Sequence, residues 1–248
     1  MDAAGVLALV ASPFAGSFLG VVVRRLPQGR DWAWSRSACE TCGRTLRPAE
    51  LVPLLSFALL RGRCAGCGGA IGWFHPAIEL AAVAVTVLVI VAVGTQPAVL
   101  LAGCVLGWVC LALALIDWRH QRLPDALTLP LLLLGLLVTA WLQSRHLFDH
   151  ALACVLGWLA FRAIALLYRR LRGIEGLGAG DAKLLAAAGA WLGVAALPRV
   201  VELAAGLTLL GVLGSALWTW RWLAPSRRVA FGPGLAASLF ACWLTQGF

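Results

Sequence analysis

Long apolar stretches separated by short polar breaks dominate the chain. Runs of about 20 apolar residues, the length that crosses a ~30 Å hydrocarbon core as a helix, lie at approximately 3–23, 76–93, 98–116, 126–142, 151–168, 182–197, 200–220 and 229–246. This pattern predicts an all-α polytopic membrane protein with about eight transmembrane helices. Several breaks are only a few residues long, such as Gly94–Pro97 and Pro198–Arg199, and connections that short turn neighbouring helices into antiparallel hairpins. One interval departs from the pattern. Arg24–His75 carries eight arginines, four cysteines and several turn residues, which predicts a small polar insert between the first two helices. The expected organisation is therefore a first transmembrane helix at 1–23, the insert at 24–75 and a membrane helix bundle at 76–248.

Composition closes off the other classes. Of 248 residues, 61% are hydrophobic and 12% charged, with mean hydropathy +0.89. A soluble domain is about half apolar and about a quarter charged, so this chain lacks the polar surface to cover a globule. Disorder and fibrous folds fail on the same figures. The net charge of +9 is not read as a nucleic-acid signal, because basic residues on a membrane protein mark the cytoplasmic loops. Arg24 and Arg25 follow the first run, and Arg119 and Arg122 the third. Arg169, Arg170 and Arg172 follow the fifth, and Arg221, Arg227 and Arg228 lie between the seventh and eighth. The opposite loops carry only Arg145 and Arg199. That asymmetry places the insert and the basic loops in the cytoplasm and both termini outside. Ala3–Val23 has no basic residue before it and no small-residue cleavage pattern after it, so it reads as a retained span and not a removable signal.

The insert contains Cys39-Glu-Thr-Cys42 and Cys64-Ala-Gly-Cys67. Two C-x-x-C pairs about twenty residues apart are the pattern of a four-thiolate zinc site. Each knuckle presents two sulfurs to one tetrahedral ion, and a glycine follows each pair (Gly43, Gly68). With all four positions taken by protein, such a site is structural. Disulfide pairing is the alternative, and a reducing cytoplasm argues against it. Cys104, Cys110, Cys154 and Cys242 have no partner motif and read as small apolar fillers.

Acidic residues are scarce, so each one near a span needs a reason. Asp125 in Leu123-Pro124-Asp125-Ala126 is placed to cap the fourth helix. Glu175 belongs to a cytoplasmic loop and Glu202 to an outer helix end. Asp117 and Asp181 stand apart. Asp117 ends the apolar run Val109–Ile116; Asp181 follows Gly178-Ala179-Gly180 and opens the sixth run. Both belong at the cytoplasmic boundary on separate helices, where an ionisable group is a functional hypothesis by default. Two adjacent carboxylates share a proton. The ionised member can take a proton from water while the other donates to a scissile carbonyl oxygen. That is aspartic-protease chemistry, and the glycines around Ala179 are expected to let a substrate backbone come close to Asp181. A membrane transporter or scaffold, with the aspartates as ion ligands and a zinc-stabilised hook, is the non-enzymatic alternative.

These residues resemble the type IV prepilin peptidases, membrane GxGD aspartic proteases that also act as N-methyltransferases. Gly16-Ser17-Phe18-Leu19-Gly20-Val21-Val22-Val23-Arg24-Arg25-Leu26-Pro27 is similar to the family's opening G-S-F-L-N-V-V-x-x-R-L-P. The paired C-x-x-C insert follows, then His75-Pro76-Ala77-Ile78-Glu79-Leu80 resembles its P-x-x-E-L element. Asp117 with Leu123-Pro124-Asp125, Gly178-Ala179-Gly180-Asp181-Ala182-Lys183-Leu184 and Phe231-Gly232-Pro233 are similar to three further motifs in the family's order. The resemblance implies that Asp117 and Asp181 are the catalytic pair. It implies cleavage of the basic leader of a prepilin or pseudopilin after a glycine, at the cytoplasmic face of the bacterial inner membrane. It also implies methylation of the new N-terminus by S-adenosylmethionine, with Glu79 and Gly62 as candidate residues for the methyl donor. One motif departs. Gly20 stands where the family has asparagine, so a peptidase without methyl transfer is the second expectation.

Overall fold

The structure, a computed structural model, describes residues 2–173, 176–219 and 229–246. Its helices are α1 (Ala3–Arg25), α2 (Leu55–Leu59), α3 (Phe74–Val93), α4 (Pro97–His120), α5 (Asp125–Leu142), α6 (Leu147–Arg172), α7 (Ala179–Leu192), α8 (Leu197–Thr219) and α9 (Gly232–Thr245). Among the described residues the only β pairing is two isolated bridges in the insert. Glu175, Arg221, Arg227 and Arg228 lie outside the described residues.

Outside the insert, which holds α2, the apolar runs and the helices agree in number but not in length. Among the described residues six helical segments are long and apolar enough to cross a membrane. The other two, α7 and α9, have 14 residues each, about 21 Å at 1.5 Å per residue. The apolar run expected at 182–197 is interrupted because Gly193 adopts φ +78°. A helix cannot continue through that conformation, so a short 3₁₀ turn (Val194–Ala196) separates α7 from α8. Conversely, α4 and α6 extend past their apolar runs into polar sequence, to His120 and Arg172.

The chain divides into two compact units, Met1–Trp108 and Val109–Phe248. In the first, α1 packs along α3, and the insert is anchored at the end of α1. The Arg25 guanidinium donates to the carbonyls of Asp31 (3.3 Å), Ser35 (3.1 Å) and Arg36 (3.4 Å), folding that segment back. Arg24 pairs with Glu40, and its guanidinium lies 4.6 Å from the Phe74 ring centroid. Glu50 accepts from Arg44 (2.6 Å) and from the Arg47 N–H (2.7 Å). The Arg47 N–H and then the Arg44 guanidinium hold the Glu50 carboxyl below the usual range.

In the second unit α7 is the central element, packed by α5, α6 and α9, while α8 packs on α9. Ala186-Ala187-Ala188-Gly189-Ala190 is buried throughout. Small side chains let backbones approach closely where lipid offers no competing hydrophobic drive. At Gly189 the approach is at its limit, since an added Cβ would lie 2.5 Å from the Ala153 carbonyl carbon of α6. Polar groups on α7 are paired: Trp191 Nε1 donates to Leu131 O (2.9 Å), and the Thr139 hydroxyl (3.3 Å) and His150 Nδ1 (2.9 Å) lie on Ala190 O. Gly189→Ala is therefore expected to destabilise the protein by about 1–3 kcal/mol through backbone displacement. Gly206→Ala, which meets nothing within 4 Å, should leave the thermal midpoint in detergent unchanged or raised.

Candidate active site and metal centre

α4 carries Asp117 in its last turn. The helix stops at His120 because Gln121 takes φ +50°, with its N–H on the Asp117 carbonyl (2.8 Å). The Asp117 side chain is 6% exposed and its Oδ2 accepts the Gly232 N–H at 3.0 Å. α7 carries Asp181 in its first turn, 9% exposed, where its Oδ2 accepts the Gly178 N–H at 3.2 Å. The carboxylates lie within electrostatic reach of each other. The structure thus brings together two buried acids separated by 64 residues, and holds each by one backbone donor.

Sequence reasoning missed one of those donors. Phe231-Gly232-Pro233 is visible as a motif, but the working group is a backbone N–H, which no residue type announces. Glycine is required there for space, since a Cβ would fall 2.6 Å from Asp117 Oδ2. Gly232→Ala should displace the Asp117 carboxylate and lower any activity that depends on it by about 10²-fold, the cost of a misplacement of about 1 Å. Rate measurement beside a thermal melt separates this from unfolding.

Two expectations about neighbouring residues change. Asp125 does not cap α5; Pro124 is the cap position and makes no side-chain cap bond. Asp125 lies inside the first turn, and its Oδ1 accepts from Lys183 Nζ at 2.5 Å. The cation two residues past Asp181 competes better for the carboxylate than the neutral N–H groups do. This tie between α5 and α7 was not foreseen, because its partners are 58 residues apart. Gly180 is not left open toward a substrate either. A Cβ there would lie 2.8 Å from Leu123 Cβ, so the glycine is used by internal packing.

In the first unit the four cysteines Cys39, Cys42, Cys64 and Cys67 converge, their sulfurs all within 4.8 Å of one another. Each knuckle is built alike. Cys39 N–H bonds Arg44 O (2.9 Å) and Gly43 N–H bonds Cys39 O (2.9 Å); Cys64 N–H bonds Gly69 O (2.8 Å) and Gly68 N–H bonds Cys64 O (2.9 Å). Gly43 and Gly68 take φ +71° and +68°, the left-handed turn that glycine adopts without strain. The Cys67 and Gly66 N–H groups draw the Cys64 thiol down to about 6, favouring the thiolate that binds metals. All described cysteines are free, and the cluster could hold a metal ion. Cys104, Cys110, Cys154 and Cys242 are buried singly in helices, as fillers should be.

Glu79, 5% exposed, accepts the Leu54 N–H from the insert at 2.8 Å, and Ser17 is a further polar neighbour. Leu54 itself has φ +59°. Gly62 turns the chain after α2 at φ +67°, with its N–H on Phe57 O and its carbonyl accepting from Ile71. At Gly20, a Cβ would lie 3.1 Å from His75 Nδ1, so the imidazole already occupies the space beside the position where the family has asparagine.

The bacterial peptidase A24 N-terminal domain matches residues 10–93, and the type IV leader peptidase family matches residues 104–219. A prepilin leader peptidase/N-methyltransferase from Burkholderia pseudomallei (strain 1026b) is 41% identical, aligned over 93% of this chain and 82% of that relative. The chain belongs to the type IV leader peptidase family. Proteins of the same name from Dickeya chrysanthemi (40% identical; 90% of this chain and 86% of the relative) and Pseudomonas aeruginosa (36%; 89% and 83%) agree. No solved structure matches. Family membership makes the chain a peptidase, and its apolar helices make it a multi-pass membrane protein. The two family segments follow the two compact units, the cysteine cluster falling in the first and both aspartates in the second.

Proposed function

We propose that this leader peptidase cuts the basic leader of a type IV prepilin or pseudopilin after a glycine, with Asp117 and Asp181 activating water, and then methylates the new N-terminus. The observation that carries the reading is the pair of buried carboxylates within electrostatic reach of each other, each held by a backbone N–H. Two such acids share a proton and titrate as a unit. The ionised member takes a proton from water as the water oxygen bonds to the scissile carbonyl carbon, and the protonated member donates to the carbonyl oxygen. Collapse of the gem-diol breaks the C–N bond and sends a proton to the leaving nitrogen. No side-chain nucleophile is needed. The arginine-rich loops support a site at the cytoplasmic face of the bacterial inner membrane, with the N-terminus outside.

Zn²⁺ fits the cysteine cluster. Tetrahedral Zn–S bonds of about 2.3 Å set sulfurs about 3.8 Å apart, and the Cys39 and Cys67 sulfurs are 4.0 Å apart. Cys39, Cys42, Cys64 and Cys67 would hold the ion and fold the insert around it. When bound, S-adenosylmethionine supplies an electrophilic methyl group for the new terminal amine. Glu79, buried with one oxygen on Leu54 N–H, is the acid on which a cationic donor or the amine would be oriented, with the Gly62 turn as the second candidate. The crowding of Gly20 by His75 favours peptidase activity alone as the second reading. Incubating the purified chain with a purified prepilin and weighing the product separates the readings. Leader loss plus one methyl supports both activities; leader loss alone supports the second. Intact prepilin with folded enzyme supports the transporter or scaffold instead.

A further inference from the structure

Arg162 sits in the interior of α6, a helix long and apolar enough to cross a membrane. It is ten residues short of the helix end at Arg172, about 15 Å along the axis. A charge at that depth is expensive unless it meets a partner. None of the ion pairs among the described residues involves Arg162 or Arg169. The Arg162 guanidinium instead lies 5.9 Å from the Trp158 ring centroid. Arg162 and Arg169 are seven residues apart, on one face of α6 and about 10.5 Å apart along the axis. Ala165 and Leu166 lie between them, and Leu177 and Gly178 form the opposite wall of an open groove of about 130 Å³. That is roughly ten times the space one water needs.

The groove has cations at its ends and aliphatic side chains between. Leu166, which lines the groove, is itself exposed, an apolar surface suited to acyl chains. Two guanidiniums that form no ion pair among the described residues match a phosphodiester, and the apolar wall matches a ligand that carries hydrocarbon. We propose that this groove seats the phosphate headgroup of an anionic phospholipid, each arginine donating to its oxygens, with Leu166 and Leu177 against the first acyl methylenes. The site lies next to Gly178, which holds Asp181, but uses neither catalytic carboxylate.

The test is native mass spectrometry of the full chain, released from micelles doped with phosphatidylglycerol or phosphatidylcholine. Wild type should retain phosphatidylglycerol about thirtyfold over phosphatidylcholine, the scale expected for two basic residues near anionic lipid. Arg162→Gln combined with Arg169→Gln should abolish the preference, and the paired Arg→Lys variant should keep most of it. Millimolar inorganic phosphate should not displace the lipid. Equal retention of both lipids by wild type overturns the proposal, whether or not the glutamine variant folds. So does an undiminished preference in that variant. Displacement by inorganic phosphate also overturns it, and would make the groove a site for soluble anions.

Discussion

Asp117→Asn or Asp181→Asn is expected to cut prepilin cleavage by about 10²–10⁴-fold, the contribution of a positioned general acid or base. Asparagine keeps the shape of aspartate and an oxygen that can accept. The Gly232 N–H on Asp117 and the Gly178 N–H on Asp181 therefore keep partners, and each variant should fold. What disappears is the capacity to exchange a proton with water. Because the acids act as one unit, the double variant should lose little more than either single variant. Purified variants assayed on one prepilin at equal, melt-verified concentration decide the matter. Near-normal cutting by either removes the pair from the chemistry and revives the view of the aspartates as ion ligands.

Loss of one cysteine of the proposed zinc site is the second large effect. Cys64→Ser should take metal content from about one ion per chain to none and leave the insert unfolded. The apparent binding free energy of a structural zinc is about 10–16 kcal/mol. The other ties of the insert are polar and local, among them two isolated bridges, the Arg44–Glu50 pair and the hold of Arg25 on three carbonyls. Limited proteolysis should then cut within residues 29–73. The consequence is selective. Cleavage should persist, because both aspartates and their donors belong to the other compact unit. Methylation should fall, because the Leu54 N–H that engages Glu79 belongs to the insert. A Cys64→Ser protein with full metal content and a protected insert would refute the four-thiolate site.

What could be read from the chain follows from the range of each signal. Apolar runs report helices directly, and paired C-x-x-C spacing reports a cysteine cluster that could hold a metal ion, because the geometry within each knuckle is local. Asp117 and Asp181 stood out because acids are rare beside apolar runs. The backbone contribution was not legible: the Gly232 N–H and the Leu54 N–H have no side-chain signature. Nor was the competition that takes Asp125 from a capping role to Lys183, which depends on how α5 meets α7. The early end of α7 at Gly193 is hidden because apolar residues continue on both sides of it. Arg162 was overlooked for the opposite reason: it is a single charge within a helix whose composition otherwise satisfies a membrane.

The central claim is that one water can be shared by the acids at 117 and 181. An experimental structure of the chain in a lipid bilayer, at a resolution that shows ordered solvent, tests it most directly. The account predicts one water within about 2.6–3.2 Å of an oxygen on each carboxylate, with Gly232 and Gly178 N–H groups holding the outer oxygens. Carboxylates too far apart for any single water to touch both would contradict it.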